Sequence, residues 1–158
     1  MNTIAACMQH TEFVCDPHLV IAIDGVPLDR ILSAACSHQK LNGLVPAMLD
    51  WIHDDRERQI VWQRILPAQA TRSIAPVLIC PDDLDLRCSV IVADVSSTTD
   101  AVVWQRLGLD HTEPDELPEN IGTKVEWLGG VGPFTFDRVE YKRMVDTFRR
   151  STIHENQA

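Results

Sequence analysis

Apolar positions along this chain change character near its middle, from helical spacing to short β-branched runs. An early exception is HLVIAIDG (His18–Gly25), a β-branched run closed by Asp-Gly that predicts a strand followed by a turn. Pro27 then suits a first helical position, and Leu28, Ile31, Leu32 and Ala35 fall on one helical face. Asn42-Gly43 ends that segment as a C-cap or a turn. Leu44, Met48, Leu49, Trp51 and Ile52 predict a second helix running to about Asp54, while Ile60–Leu66 fits helix or strand.

From Pro76 the pattern is β. PVLIC, CSVIVADV and AVVWQRLGL read as three buried strands, the last two joined by SSTTD with hairpin-loop composition. DHTEPDELPEN is too polar and too interrupted by proline to be an element, and predicts an acidic loop. KVEWLGG and PFTFD form two short strands around a GGVGP turn. The chain closes on an amphipathic helix with Asp137 as N-cap, Glu140 at the capping-box position, and Val139, Met144, Val145 and Phe148 as its core face. Arg149 and Arg150 suit the C-terminal end of its dipole. This order of elements predicts a single α+β domain over 1–158, with a mostly antiparallel sheet from the C-terminal half packed against helices. Residues 1–16 and 151–158 are the ends expected to fray. VWQRI (Val61–Ile65) and VWQRL (Val103–Leu107) echo each other, but five positions in unlike surroundings do not establish a repeat.

Composition narrows the class. With 158 residues, 45% of them apolar and 23% charged, the chain suits one folded domain with a real core. No apolar run approaches the roughly 20 residues of a bilayer span, and the N-terminus lacks the basic and apolar regions of a secretory signal. A cytoplasmic location without a membrane partner is expected. Five cysteines (Cys7, Cys15, Cys36, Cys80, Cys88) with no CxxC pair read as reduced, mostly buried thiols, although Cys80 and Cys88 could meet if their strands are neighbours. The net charge of −9 argues against nucleic acid as a partner, and it is local: residues 81–126 carry −8 of it.

Candidate chemistry centres on CPDDLDLRCSVIVADV. Pro-Asp-Asp after a strand is a good turn sequence, because proline presets φ and aspartate bonds the local backbone. A calcium loop counted from Asp83 fails, with Arg87 at position 5 and Cys88 where glycine is needed. Zinc on Cys80 and Cys88 would lack a close second ligand of known spacing, and no nearby histidine completes the set. No metal and no cofactor is expected. Asp82, Asp83 and Asp85 could serve a small hydrolase as paired carboxylates, but no motif supplies a cleft. The histidines (His10, His18, His38, His53, His111, His154) are dispersed, no signature flanks any cysteine, and Cys36 and His38 do not share a helical face. LGGVGP matches no phosphate-binding glycine motif. The four tryptophans read as core anchors, with Trp104 or Trp127 as the ones that could instead stand exposed among acids and form a binding hot spot.

A domain whose negative charge is concentrated on loops and edges suits a basic protein surface. CPDDLDLRCSVIVADV and VEWLGGVGPFTFDRVEYKRMVDTF resemble segments of small bacterial proteins from the immunity side of toxin–immunity systems, including contact-dependent inhibition. The resemblance covers roughly the C-terminal half. It implies a non-catalytic, cognate inhibitor that occludes the active site of a basic, nuclease-type toxin by offering carboxylates in place of phosphates. The partner-binding residues it points to are Asp82, Asp83, Asp85, Asp110, Glu113, Asp115, Glu116 and Glu119, with Trp104 or Trp127 as an apolar anchor. The competing readings are the Asp82/Asp83/Asp85 hydrolase and a structural or regulatory module whose acidity only keeps it soluble.

Overall fold

A computed structural model describes residues 1–37 and 39–157, with side chains described through residue 151; His38 and the His154 side chain lie outside that set. In order along the chain come β1 (Ile4–Thr11), β2 (Val14–Ile23), β3 (Val26–Pro27), α1 (Leu28–Ala35), β4 (Val45–Pro46) and α2 (Asp55–Ile65). β5 (Arg72–Ile79), β6 (Val90–Ser97), β7 (Ala101–Asp110), β8 (Val125–Trp127), β9 (Phe134–Asp137) and α3 (Arg138–Gln157) complete it. The architecture is α+β, and every named strand pair is antiparallel. β1, β2 and β3 make a three-stranded sheet; β4-β5-β6-β7-β8 make a larger one, in which β9 also pairs with β7. Among the described residues no helix is long and apolar enough to cross a membrane.

β6 is the centre of the larger sheet, flanked by β5 and β7, and Val90–Val95 is buried at every position. A strand covered on both faces needs no polar alternation, which is why Val90–Ala93 reads as a continuous apolar run, broken only at Asp94. The edge of β7 is shared: its first residues pair with β9 (Val102↔Phe136) and its last with β8 (Gly108↔Trp127). At that junction Gly108 is required, because a Cβ there would sit 2.3 Å from Val125 Cγ1 and 2.8 Å from the Glu126 carbonyl oxygen.

The first half departs from its sequence pattern. No helix spans 44 to 54. Val45 and Pro46 instead pair with Ile79 and Leu78, and Leu44, Met48, Leu49 and Ile52 are buried from an irregular segment. Proline discourages helix in the residue before it, and the helix starts where a cap exists. Asp54 accepts from the backbone N–H groups of Arg56 (2.9 Å) and Glu57 (3.1 Å), a cap worth about 1 kcal/mol, and α2 runs from there through the ambiguous Ile60 segment. Thus VWQRI is helical in α2 while VWQRL is extended in β7, so the echo carries no duplication. Pro27 is likewise the residue before α1 rather than its first position.

β1 pairs with β2 from Ile4↔Ile23 onward, and Ile4 is buried. α3 packs against β1, β7 and β9. Asp137 accepts from Glu140 N–H at 3.0 Å, so the cap forms; the Glu140 carboxylate turns away to accept from Ile4 N–H at 2.8 Å and ties β1 to the helix. Met144, Val145 and Phe148 are buried as their spacing suggested, but Val139 is 66% exposed and Tyr141 fills the position in its place.

Candidate functional site

Sheet register decides where the acidic loops go. Ile79 pairs with Val90, Ile91 with Leu109 and Asp110 with Val125, so the β5–β6 loop (80–89) and the β7–β8 connection (111–124) leave the same end of the sheet. The N-terminus of α2 touches both. Buried Glu57 accepts from Leu86 N–H, and neighbouring Arg56 pairs with Glu119. Burial raises the Glu57 pKa above its ordinary value, opposed by the Leu86 bond and reinforced by Asp54 and Asp85.

The expected partner-binding residues divide on inspection. Asp82, Asp83, Glu113 and Asp115 are exposed and Asp85 is half-buried, its carboxylate accepting from Arg87 N–H at 2.9 Å. Among the described residues none of these five takes part in a salt bridge. The others are used internally. Asp110 is buried, accepting from Thr112 N–H (3.1 Å), Thr112 Oγ1 (3.1 Å) and Gly122 N–H (2.9 Å), which makes it the staple that folds the acidic loop back. Glu116 accepts from Glu113 N–H at 2.8 Å and from Lys124 at 3.3 Å; these two bonds hold its pKa below the ordinary value. Glu119 is taken up by Arg56. Asp94, counted in the same acidic segment, is buried between Arg72 (2.6 Å to each oxygen) and Arg106 (3.1 Å).

Neither tryptophan is an exposed anchor. Trp104 is fully buried against Phe136 and Tyr141, because alternation along the first half of β7 turns Val102 and Trp104 inward together. Trp127 is half-buried beneath the Arg106 guanidinium, 3.8 Å from its ring centroid, where it faces a cation of the same chain. His18 is a satisfied core histidine, with Nδ1 3.0 Å from the Leu19 carbonyl oxygen and its ring edge-on to Trp51.

One grouping was not visible from spacing. The ligand atoms of Cys80, Asp83 and Cys88 all lie within 4.8 Å of one another. The turn that does this is closed by Leu84 N–H donating to the Cys80 carbonyl at 3.2 Å, with Leu84 itself at φ +52°, a left-handed conformation a leucine seldom adopts. It folds Asp83 back over the two sulfurs. The Cys88 thiol is pushed up to about 11, chiefly by its bond to the Asp83 carboxylate and then by burial. Of the five cysteines only Cys36 is buried; Cys7 and Cys80 are half-buried and Cys15 and Cys88 exposed, against the expectation of core thiols. A groove of about 610 Å³ runs beside Cys80 and Asp82 to the tip of the β1–β2 hairpin at Phe13.

Compared with known proteins, the chain matches no family model, no curated protein and no solved structure.

Proposed function

We propose that this chain is a non-catalytic, cytoplasmic protein-binding module that meets a basic partner with the acidic end of its larger sheet. The observation that carries this reading is the contrast between two sets of acids. Asp94, Glu116 and Glu119 are paired with cations of the chain and Asp110 is bonded on both oxygens, whereas among the described residues Asp82, Asp83, Asp85, Glu113 and Asp115, on two loops at one sheet end, form no salt bridge, Asp85 meeting only the Arg87 N–H and Asp83 only the Cys88 thiol. Carboxylates without a countercharge repel one another, and a complementary basic surface converts the repulsion into fast, selective association. The resemblance to immunity proteins narrows the partner to a nuclease-type toxin, whose phosphate-binding Lys, Arg and His side chains would accept carboxylates in place of phosphates. The experiment is a pull-down of the tagged chain against the proteins encoded beside its gene. Retention of one basic protein, released by salt and inhibited as a nuclease when bound, supports the reading. A basic neighbour that passes through the column unretained at low salt contradicts it.

A further inference from the structure

We propose that Cys80, Asp83 and Cys88 form a binding site for a thiophilic divalent cation, zinc in particular, with one coordination position left open. Tetrahedral zinc with Zn–S bonds of about 2.3 Å holds its sulfurs about 3.8 Å apart. Three donor atoms already within 4.8 Å of one another need to close by only about 1 Å to reach that shape. The scaffold for that closure is built. Leu84 N–H locks the turn onto the Cys80 carbonyl, the buried Leu86 anchors the loop on Glu57 of α2, and Arg87 N–H caps Asp85. Cys80 itself directly follows β5, so one ligand stands at the end of a strand paired on both sides.

The donor set selects the ion. Hard cations such as calcium and magnesium take oxygen ligands, whereas two thiols and one carboxylate suit a borderline-soft metal. Binding requires both thiols as thiolates, so each ion that enters releases two protons to solvent and leaves a centre of net charge −1. Asp82 and Asp85 add negative charge around the entering cation, against the single positive charge of Arg87 within the loop. The fourth position belongs to water or to a ligand atom from outside the chain, since structural zinc sites are closed and this one has three donors. This site does not depend on the partner reading above.

The test is titration of the reduced full-length chain with Co²⁺, then Zn²⁺. One equivalent of Co²⁺ should give the thiolate-to-cobalt charge-transfer band and the visible bands of a tetrahedral centre, and Zn²⁺ should abolish both with release of about two protons per ion. Cys80→Ser and Cys88→Ser should each lose the charge-transfer band while keeping the far-ultraviolet circular dichroism of the wild type. Asp83→Asn, which keeps both thiols, should weaken binding about tenfold or more. A Cys7→Ser/Cys15→Ser chain should bind as the wild type does. Absence of the band in the wild type overturns the proposal. So does its survival in Cys80→Ser or Cys88→Ser, or wild-type affinity in Asp83→Asn.

Discussion

Trp104 donates its indole N–H to the Tyr141 hydroxyl at 3.2 Å, and the same hydroxyl donates to the Ile65 carbonyl at 2.6 Å. One oxygen therefore joins β7, α3 and the end of α2, where carbonyl groups lack intrahelical donors. Both side chains are fully buried, and burial pushes the tyrosine pKa well up, so the hydroxyl stays protonated and able to donate.

Tyr141→Phe should leave two dry polar groups without a partner and destabilise the chain by about 1–3 kcal/mol for each. Val139→Ala, two residues away on the exposed side of α3, should change stability by no more than about 0.5 kcal/mol. Urea unfolding of the two variants checks both. Equal stabilities would mean that the hydroxyl bridge contributes nothing.

Glu57 gives the fold a pH dependence of definite sign. Its folded pKa is raised by burial, ahead of the opposing Leu86 bond. Below the usual glutamate value both folded and unfolded chains hold the proton, and the site is neutral in each. Between that value and the raised one only the folded chain holds it, so stability falls as pH rises through this window and then levels off. Glu57→Gln keeps an oxygen acceptor for Leu86 N–H and cannot ionise. Wild type measured against this variant by urea unfolding at a series of pH values should lose ground with rising pH across the window. A flat difference, or one of opposite sign, would place the carboxylate in a better-solvated site than its burial indicates.

Gly108 and Gly129 make a matched pair. A methyl group at Gly108 runs into Val125 and the Glu126 backbone, which cannot move without breaking the β7–β8 ladder; at Gly129 nothing lies within 4 Å. Gly108→Ala should cost about 1–3 kcal/mol, and Gly129→Ala within about 0.5 kcal/mol of nothing. Thermal unfolding of both variants decides whether the crowding is real.

What the residues disclose in advance follows from how local each signal is. Val90–Val95 announces a doubly covered strand, and Asp24-Gly25, with both residues at positive φ, announces the turn after β2. The 44–54 segment misleads because its apolar spacing imitates a helical face, whereas burial there comes from packing onto the end of β5, a long-range fact. β1 is overlooked because Ile4–Met8 is a run of mostly small apolar residues without alternation, and its partner Val14–Ile23 supplies nearly all of the buried side chains of the pair. At the candidate site the density of acids is plain, but their division is not. Asp110 and Asp115 are the same residue type in one loop; only the folded positions of Thr112 and Gly122 turn the first into an internal staple. The Cys80–Asp83–Cys88 grouping hangs on one left-handed leucine, which no spacing rule anticipates.

The acidic end of the sheet is tested most directly by association kinetics with the partner that the chain retains. Asp82→Lys, Glu113→Lys and Asp115→Lys combined leave Asp83, Glu57 and the internally bonded acids untouched. The wild-type association rate should fall steeply with ionic strength, and the triple variant should associate about tenfold or more slowly at low salt with an almost unchanged melting temperature. A triple variant that binds at the wild-type rate with the same salt dependence would contradict a partner-facing role for this end of the molecule.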